Sequence, residues 1–432
     1  MSTAVEPPVT PYRGLAAFGD DELDARLFFG RERETALVVA NLQAARLTIL
    51  YGASGVGKSS LLHAGVAHRL RRVEANAPRH VVIVCDGWRG DPVAAVTREA
   101  VTAVSDYLGR SVAAGSGALA DELAHLSKEI DGELYLVLDQ FEEYVMYHGA
   151  DDGGPLAEEL AEVVNRPSLR VGVLLGIRDD ALAGLDALKA RVPTVFSNLL
   201  RIDHLTREDG REAILSPLAE IEALGGPAYT AEPALVEAVL DGVALPAPTG
   251  DPRAHVIAPF LQLVMSRVWE AEALAGSRSL NAETLERLGG PERIVEDHLE
   301  QALSTLEPHE RDIAARLFRE LVTPSGTKIA HSARDLAQYV DVDESELLPV
   351  LEQLAAARIV VPTADERGTR RYEILHDVLA EAVLAWSVAH EAGQELERTK
   401  REARRRHRRL AAVTTASLVG LACAIALMVW AL

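Results

Sequence analysis

Residues Gly52–Ser59 read G-A-S-G-V-G-K-S, a complete match to the phosphate-binding pattern G-x-x-x-x-G-K-[ST]. A short apolar run, Leu47–Tyr51, precedes the pattern, and a helical pattern over Ser60–Arg71 follows it. A strand before the loop and a helix after it separate a P-loop from a chance glycine-rich turn. The sequence therefore predicts that the chain holds the phosphates of a nucleotide at this position.

The residue types in the loop suit that task. Glycine at positions 52, 55 and 57 permits backbone angles and close approaches that a Cβ atom would block. Lys58 is expected to reach the β- and γ-phosphate oxygens, and Ser59 to offer its hydroxyl to Mg²⁺. Backbone N–H groups at the start of the helix complete the phosphate cradle. The predicted nucleotide-binding residues of the loop are Gly52, Ala53, Ser54, Gly55, Val56, Gly57, Lys58, Ser59 and Ser60.

Other short strands predict a parallel sheet around the loop. Short apolar runs with strand character lie at Val81–Cys85, Leu134–Leu138 and Val171–Ile177, with a weaker run at Leu199–Ile202, and helical patterns separate most of them. Wholly apolar strands that alternate with helices are typical of a parallel sheet covered on both faces. We therefore expect an α/β P-loop NTPase domain over 25–207, preceded by an N-terminal linker over 1–24.

Beyond residue 207 the strand signals fade. Helical periodicity dominates 208–290, which predicts an all-α domain. In 291–390, three helical patterns precede a β-hairpin pattern, and this order predicts a winged-helix domain. The helices are expected at His309–Leu321, Ser332–Tyr339 and Ser345–Ala357, and the hairpin strands at Ile359–Pro362 and Tyr372–Leu375.

The C-terminus differs in composition from the body of the chain. The 432 residues carry a net charge of −21, yet seven of the residues in Lys400–Arg409 are Lys or Arg. Leu410–Leu432 has 23 residues and no charge, enough to cross the hydrocarbon core of a membrane. A buried core helix is the alternative. We expect a basic juxtamembrane helix over 391–409 and a single-pass transmembrane helix over 410–432, with the N-terminal body cytoplasmic by the positive-inside rule.

A second predicted strand ends in polar side chains. The run L-Y-L-V-L-D ends in Asp139, at the sheet edge where parallel α/β proteins bind ligands. We expect Asp139 and Ser59 to hold Mg²⁺, Asp139 acting through water. Gln140 is placed to orient an attacking water, and Glu142 to accept its proton. The alternative is that Glu142 and Glu143 begin a solvated helix, and we prefer it for Glu143.

Arg178 follows a further strand, on the same side of the sheet. An arginine there can reach a γ-phosphate and sense whether it is present. The alternative is an ion pair with Asp179 or Asp180. The predicted catalytic residues are Lys58, Asp139, Gln140, Glu142 and Arg178.

These residues, in this order, resemble the STAND class of P-loop ATPases (signal-transduction ATPases with numerous domains), and most closely the bacterial novel STAND group. The resemblance covers nearly all of residues 11–390. Its motifs are P-Y-R-G-L-A-A-F (Pro11–Phe18), L-F-F-G-R-E-R-E (Leu27–Glu34), the P-loop, L-V-L-D-Q-F-E-E (Leu136–Glu143), I-R-D-D (Ile177–Asp180), I-L-S-P (Ile214–Pro217), P-F-L-Q-L (Pro259–Leu263) and L-H-D (Leu375–Asp377).

The resemblance implies further binding residues. Phe29, Gly30 and Arg31 would lie beside the adenine, and Pro217 would close over the base from the helical domain. His376, in an L-H-D that looks like the M-H-D motif of the class, would contact the β-phosphate of ADP. In such proteins the winged helix is a lid that locks an ADP-bound resting state, and exchange for ATP opens the lid for assembly.

The expected function is a membrane-tethered ATP/ADP switch that binds Mg²⁺, hydrolyses ATP slowly and forms a homo-oligomer on activation, in bacterial signalling or defence. Its protein partners are not identified by the sequence. Gln140 stands where many wider relatives have a catalytic Glu, so slow turnover is expected. A DNA-binding regulator is the alternative. The acidic body and the absence of Lys and Arg from Ser345–Ala357 disfavour a nucleic-acid partner. A transport or proteolysis motor is a third hypothesis, although one membrane span offers no translocation path.

Overall fold

The computed structural model describes residues 10–72, 79–88, 90–115, 117–148, 154–245, 255–323, 329–364, 370–375, 379–380 and 382–395. Within these ranges the first unit contains a five-stranded sheet in the order β2–β3–β4–β1–β5, in which every neighbouring pair is parallel. The strands are β1 (Leu47–Gly52), β2 (His80–Cys85), β3 (Glu133–Leu138), β4 (Val171–Arg178) and β5 (Leu199–Arg201). The predicted α/β fold with a parallel sheet is confirmed.

Apolar side chains occupy both faces of this sheet. Along β3, Leu134, Leu136 and Leu138 join one apolar cluster, while Tyr135 and Val137 join another. Successive side chains of a strand point to opposite faces, so each face needs its own layer of helices. The helices of this unit are α1 (Glu22–Leu27), α2 (Glu32–Ala44), α3 (Lys58–Ser60), α4 (His68–Arg71), α5 (Pro92–Leu108), α6 (Leu119–Ile130), α7 (Phe141–His148), α8 (Gly154–Asn165) and α9 (Asp186–Lys189).

The helix after the P-loop is irregular. The sequence predicts one helix over Ser60–Arg71, but a π-helical segment, Leu61–Ala67, separates α3 from α4. Hydrophobic periodicity does not reveal so local a change of pitch. Wide turns of this kind are rare and are found frequently at functional sites.

The second unit is mainly helical. Thr206 begins α10 with a capping box, because its side chain accepts a hydrogen bond from Asp209 N and the Asp209 carboxylate accepts one from Thr206 N. The helices are α10 (Arg207–Ala223), α11 (Pro233–Gly242), α12 (Ala258–Leu274), α13 (Ala282–Arg287) and α14 (Gly290–Ser304). Two small sheets accompany them, and they pair β6 (Leu205–Thr206) with β8 (His255–Val256) and β7 (Thr230–Ala231) with β9 (Ser279–Leu280). α14 packs on α11, α12 and α13, so the second unit continues to Ser304, beyond residue 290, where the all-α domain was predicted to end.

The third unit combines helices with an antiparallel sheet. Its helices are α15 (Pro308–Leu321), α16 (Ala333–Tyr339) and α17 (Glu344–Ala356). The sheet has the order β10–β12–β11, with strands β10 (His331–Ser332), β11 (Val360–Ala364) and β12 (Arg370–Ile374). The hairpin pattern in the sequence corresponds to β11 and β12, whereas β10 adds a short strand that the sequence did not predict. Residues 382–395 are helical, and Trp386 packs against Phe318 with ring centroids 6.0 Å apart.

Residues Pro11–Phe18 form an N-terminal strap across the units, although 1–24 was predicted to be a linker. Tyr12 donates its hydroxyl to the Ile214 carbonyl at 2.7 Å, and Phe18 N donates to Ser60 Oγ at 3.1 Å. The apolar side chains of Tyr12 and Phe18 belong to the cluster that continues through the second and third units. The strap is therefore part of the packed structure, and α1 already begins at Glu22.

In the ranges described above, no helix is both long and apolar enough to cross a membrane. The predicted transmembrane helix, Leu410–Leu432, lies outside those ranges, as do residues 396–409 of the predicted basic helix.

Candidate nucleotide-binding site

The P-loop joins β1 to α3 at the carboxyl edge of the sheet. Gly55 and Gly57 have φ angles of 76° and 94°, in the left-handed region that favours glycine. Gly52 needs space instead, because a Cβ atom built on it would lie 2.4 Å from the carbonyl oxygen of Ile202. The three glycines thus allow a tight turn pressed against the chain beyond β5.

A cavity of about 560 Å³ opens over this loop. Small-molecule sites typically enclose roughly 300–1,000 Å³, so a mononucleotide is within range. The first unit contributes most of the polar wall, while the strap, the second unit and the third unit complete it. The P-loop residues that line the cavity are Ser54, Gly55, Val56, Gly57, Lys58, Ser59 and Ser60; Gly52 and Ala53 lie outside the lining.

The Lys58 side chain contacts the backbone of the P-loop to which it belongs. Its ammonium group donates to the carbonyl oxygens of Gly52 and Ala53, both at 2.8 Å. Burial lowers the pKa of Lys58, and the charge of Glu142 partly opposes that change. The ammonium is therefore a buried cation at the cavity wall, close to where phosphates would lie.

Arg31 contacts the backbone of the P-loop. Its Nη2 donates to the Val56 carbonyl at 2.8 Å and to the Asp203 carbonyl at 2.7 Å. The resemblance placed this residue beside adenine, whereas its guanidinium ties the loop to the chain after β5. Phe29 and Arg31 line the cavity, and Gly30 does not. Gly30 has a φ of 84°, and a Cβ atom there would lie 2.5 Å from Asp209 O.

Asp139 follows β3 at the same edge of the sheet. Its backbone carbonyl accepts a hydrogen bond from Trp88 Nε1 at 2.8 Å, and its Oδ1 accepts one from Gln140 N at 2.8 Å. The other carboxylate oxygen, Oδ2, lies 3.4 Å from His63 Nε2 and accepts no well-formed hydrogen bond from the described residues. A buried carboxylate oxygen of this kind fits a cation: His63 faces it in this structure, and together with the Ser59 hydroxyl it also suits Mg²⁺ held through water.

Asp139 and Ser59 supply fewer ligands than a metal site that is built from protein side chains alone. Among the described residues, no group of three or more His, Cys, Asp and Glu side chains is arranged to hold a metal ion. Mg²⁺ commonly takes one or two protein ligands and completes its shell with water and phosphate oxygens. Asp139 and Ser59 are consistent with that mode of Mg²⁺ binding.

Gln140 and Glu142 line the cavity beyond Asp139. Gln140 has a φ of 51°, which is unusual for a residue other than glycine and turns the chain from β3 into α7. Burial raises the pKa of Glu142 to about 7, although Lys58 opposes the rise. Glu142 Oε2 is buried and has no hydrogen-bond partner among the described residues. Such a carboxylate is suited to accept a proton near neutral pH.

Glu143, which we assigned to a solvated helix, also lines the cavity. The sequence pattern could not separate it from Glu142, because both stand in the first turn of α7.

Arg178 lies at the end of β4, opposite Gly52 in the register of β1 and β4. Its guanidinium pairs with Asp180, as the alternative hypothesis held, and also with Glu373 on β12. Burial alone would lower the pKa of Arg178, but these two carboxylates outweigh it and raise the pKa. Arg178 lines the cavity and is charged, so the ion pairs and a phosphate-sensing role are compatible.

The far walls come from the second and third units. Pro217 is buried in α10 and does not line the cavity; Ala213, one turn earlier, does. The predicted contact of Pro217 with the base stays a prediction. His376 lies outside the described residues, but Leu375 and Leu379, on either side of it in sequence, both line the cavity.

Three contributors to the site had no role in the sequence analysis. Gly14–Phe18 of the strap line the cavity, Glu373 pairs with Arg178, and His63 faces Asp139. Burial would lower the pKa of His63, but Asp139 outweighs burial and raises it. The strap was visible only as the motif P-Y-R-G-L-A-A-F, and no signal in the sequence indicated Glu373.

Comparison with solved structures shows arrangements similar to this one. The ORC2 protein of Aeropyrum pernix, in ADPNP–ADP complexes, is 15% identical, with a TM-score of 0.49 over 90% of this chain and 99% of that chain. The ORC1 protein of Aeropyrum pernix in complex with DNA is 16% identical, with a TM-score of 0.44 over 82% and 92%. Drosophila ORC bound to DNA is 14% identical, with a TM-score of 0.38 over 90% and 96%. Likenesses this distant carry no argument about ligands.

The comparison with proteins of curated function returns no match. The family model described as Novel STAND NTPase 1 matches residues 11–416, which confirms the resemblance that the motifs indicated. With a match over nearly its whole length, this chain belongs to the Novel STAND NTPase 1 family.

Proposed function

We propose that this protein is an ATP/ADP-dependent switch of the STAND type, in which the third unit covers the nucleotide. One observation carries the proposal: a single cavity is lined by the P-loop, Asp139 and Arg178 of the first unit and by Val360–Pro362 and Leu375 of the third. A nucleotide in that cavity would contact both units. Its phosphates would therefore influence how the two units are held together.

Different residues of the site bind the phosphates, hold the metal and support the P-loop. The N–H groups of the P-loop and the Lys58 ammonium bind the β- and γ-phosphates. Ser59 and Asp139 would hold Mg²⁺, whose charge would offset that of the phosphates. Arg31 keeps the loop in shape through the Val56 carbonyl.

The residues that follow Asp139 are consistent with slow hydrolysis of ATP. Gln140 can orient a water molecule but cannot accept a proton, whereas Glu142 can accept one when its carboxylate is ionised. With a pKa raised to about 7 by burial, Glu142 is only partly ionised at neutral pH. We therefore propose turnover slow enough for each nucleotide state to persist.

The third unit is proposed to act as a winged-helix lid. Three helices followed by the hairpin of β11 and β12 support this assignment. His376 is proposed to contact the β-phosphate of ADP, since the residues that flank 376–378 line the cavity. Changing His376 to alanine should weaken ADP retention more than ATP binding in equilibrium titrations. Equal loss of both affinities would contradict the lid role.

Membrane attachment through Leu410–Leu432 and self-association in the ATP state complete the proposal, in bacterial signalling or defence. The uncharged run and its basic flank support the first, and family membership supports the second. Removal of Leu410–Leu432 should release the protein from the membrane fraction of the cells that make it. We do not extend the proposal to DNA, since the exposed residues of α17 include Glu344, Glu346 and Glu352 and no basic side chain.

Mass spectrometry of the nucleotide that co-purifies with the protein tests the central claim. We expect ADP in the purified protein and a larger assembly after exchange for ATP, measured by light scattering. Lys58→Ala should abolish both, while Lys189→Ala, an exposed lysine on α9, should change neither. A Lys58→Ala protein that still retains nucleotide would refute the site.

A further inference from the structure

A buried ion pair links the first unit to the third behind the cavity wall. Arg178 Nη2 donates to Glu373 Oε1 at 2.7 Å, across 195 positions of the chain. The two side chains are only 9% and 8% exposed. Arg178 ends β4 beside the P-loop strand, and Glu373 lies on β12 of the third unit. The pair therefore fastens the hairpin of the third unit to the sheet edge that carries the P-loop.

Arg178 has a second partner in a different environment. Its Nε and Nη2 donate to Asp180 Oδ1 and Oδ2 at 3.0 Å and 2.6 Å. The Asp180 side chain is 59% exposed, so water and salt screen its charge. Glu373 is shielded from solvent, and its attraction to the guanidinium is screened far less. Asp180 holds Arg178 within its own unit, whereas Glu373 is the partner that connects the units.

A γ-phosphate would approach the same guanidinium from the cavity, which Arg178 lines. It would place a second, multiply charged anion on a cation that Glu373 already neutralises. Two anions that share one buried cation repel each other at these separations. ADP lacks that third phosphate and leaves the ion pair undisturbed.

We infer that Glu373 competes with the γ-phosphate for Arg178, so that ADP leaves the third unit fastened and ATP loosens it. This inference rests on the proposed function and names the residue through which the nucleotide controls the lid. Glu373 acts through Arg178 and is a positioning residue, since it does not line the cavity.

The test compares Glu373→Gln with a matched control, Glu220→Gln. Glu220 accepts from Arg26 Nε at 2.6 Å, in an ion pair that also joins two units, and neither residue lines the cavity. Affinities for Mg-ATP and Mg-ADP are measured by titration calorimetry on the full chain. Glu373→Gln should raise the affinity for ATP relative to ADP by about tenfold, within the range of typical allosteric couplings. Glu220→Gln should leave the ratio unchanged.

A second measurement on the wild-type protein does not depend on the folding of the variants. Amide hydrogen exchange in β11 and β12 should be faster with Mg-ATP than with Mg-ADP, because ATP weakens the ion pair that fastens them. An unchanged affinity ratio in a folded Glu373→Gln protein would overturn the inference, as would equal exchange in the two nucleotide states. The first result alone would leave the proposed function standing, whereas equal exchange would also count against the lid role of the third unit. A wild-type chain that binds neither nucleotide would overturn both.

Discussion

Replacing Arg31 by alanine should weaken ATP and ADP binding by the same factor. The guanidinium of Arg31 holds the Val56 carbonyl, inside the P-loop, to the Asp203 carbonyl beyond β5. Neither contact depends on which phosphates are present. Removal of the side chain frees the loop from its support before any nucleotide binds.

The size of the effect follows from these two contacts. Hydrogen bonds to a charged group contribute about 1.5–3 kcal/mol each, and Arg31 is only 4% exposed. Because water can enter after truncation and satisfy part of the loss, we take about 3 kcal/mol in total, the low end of the sum. If the bound state requires the supported loop, the dissociation constants should rise on the order of 100-fold.

Titration with ATP, ADP and GTP measures this prediction, with Arg33→Ala as the matched control because Arg33 is exposed in the first turn of α2, directly after Arg31 and Glu32. The Arg33 variant should bind as the wild type does. The reasoning fails if Arg31→Ala changes both affinities less than twofold, or if the loss is confined to ATP. A change in the preference for ATP over GTP would instead support a contact of Arg31 with the base.

Three further predictions concern Glu142 and Asp139. Glu142→Gln should lower the hydrolysis rate and remove its rise with pH near 7, since burial raises the pKa of Glu142 to about 7 and only the carboxylate accepts a proton; a pH–rate profile that keeps its rise in the variant would contradict this. Because burial raises the pKa of Glu142 from 4.5 to about 7, the folded state holds this proton more tightly than the unfolded chain, and stability is lost as pH rises from about 4.5 to about 7. The Glu142→Gln variant should lose less stability over that interval than the wild type, as measured by thermal unfolding at each pH. Asp139→Asn should remove the part of ATP binding that depends on Mg²⁺, measured by titration with and without a chelator; equal losses under the two conditions would argue against a metal role.

Local patterns predicted the elements that build the polar wall of the site. β1, the P-loop and Asp139 follow from apolar runs that end in glycine or a carboxylate, and all strand ends of a parallel sheet meet at one edge. Arg178 was placed at that edge for the same reason. At most ends the strand bounds lie within one residue of the sequence prediction, as in β3, which begins at Glu133 rather than at Leu134.

Contacts between distant parts of the chain could not be read in this way. Glu373 meets Arg178, and Arg358 donates to the Leu15 carbonyl, only because whole units pack together. A strand pattern says which face a residue occupies but not which unit lies against that face. Arg31 shows the same limit, since the motif identified the residue but not the direction of its guanidinium.

The N-terminal strap gives the nucleotide site a mechanical connection to whatever precedes residue 11. Arg13 N donates to Gln262 Oε1 on α12 at 2.9 Å, Phe18 N donates to Ser60 Oγ at 3.1 Å, and Arg358 donates to the Leu15 carbonyl. Tension on the strap would reach α1 and the second unit through Arg13, and then the third unit and the end of the P-loop through Leu15 and Phe18. An affinity tag or fusion partner at the N-terminus would therefore exert force on residues that line the cavity. Tagging at the N-terminus can then change nucleotide affinity without altering a single binding residue.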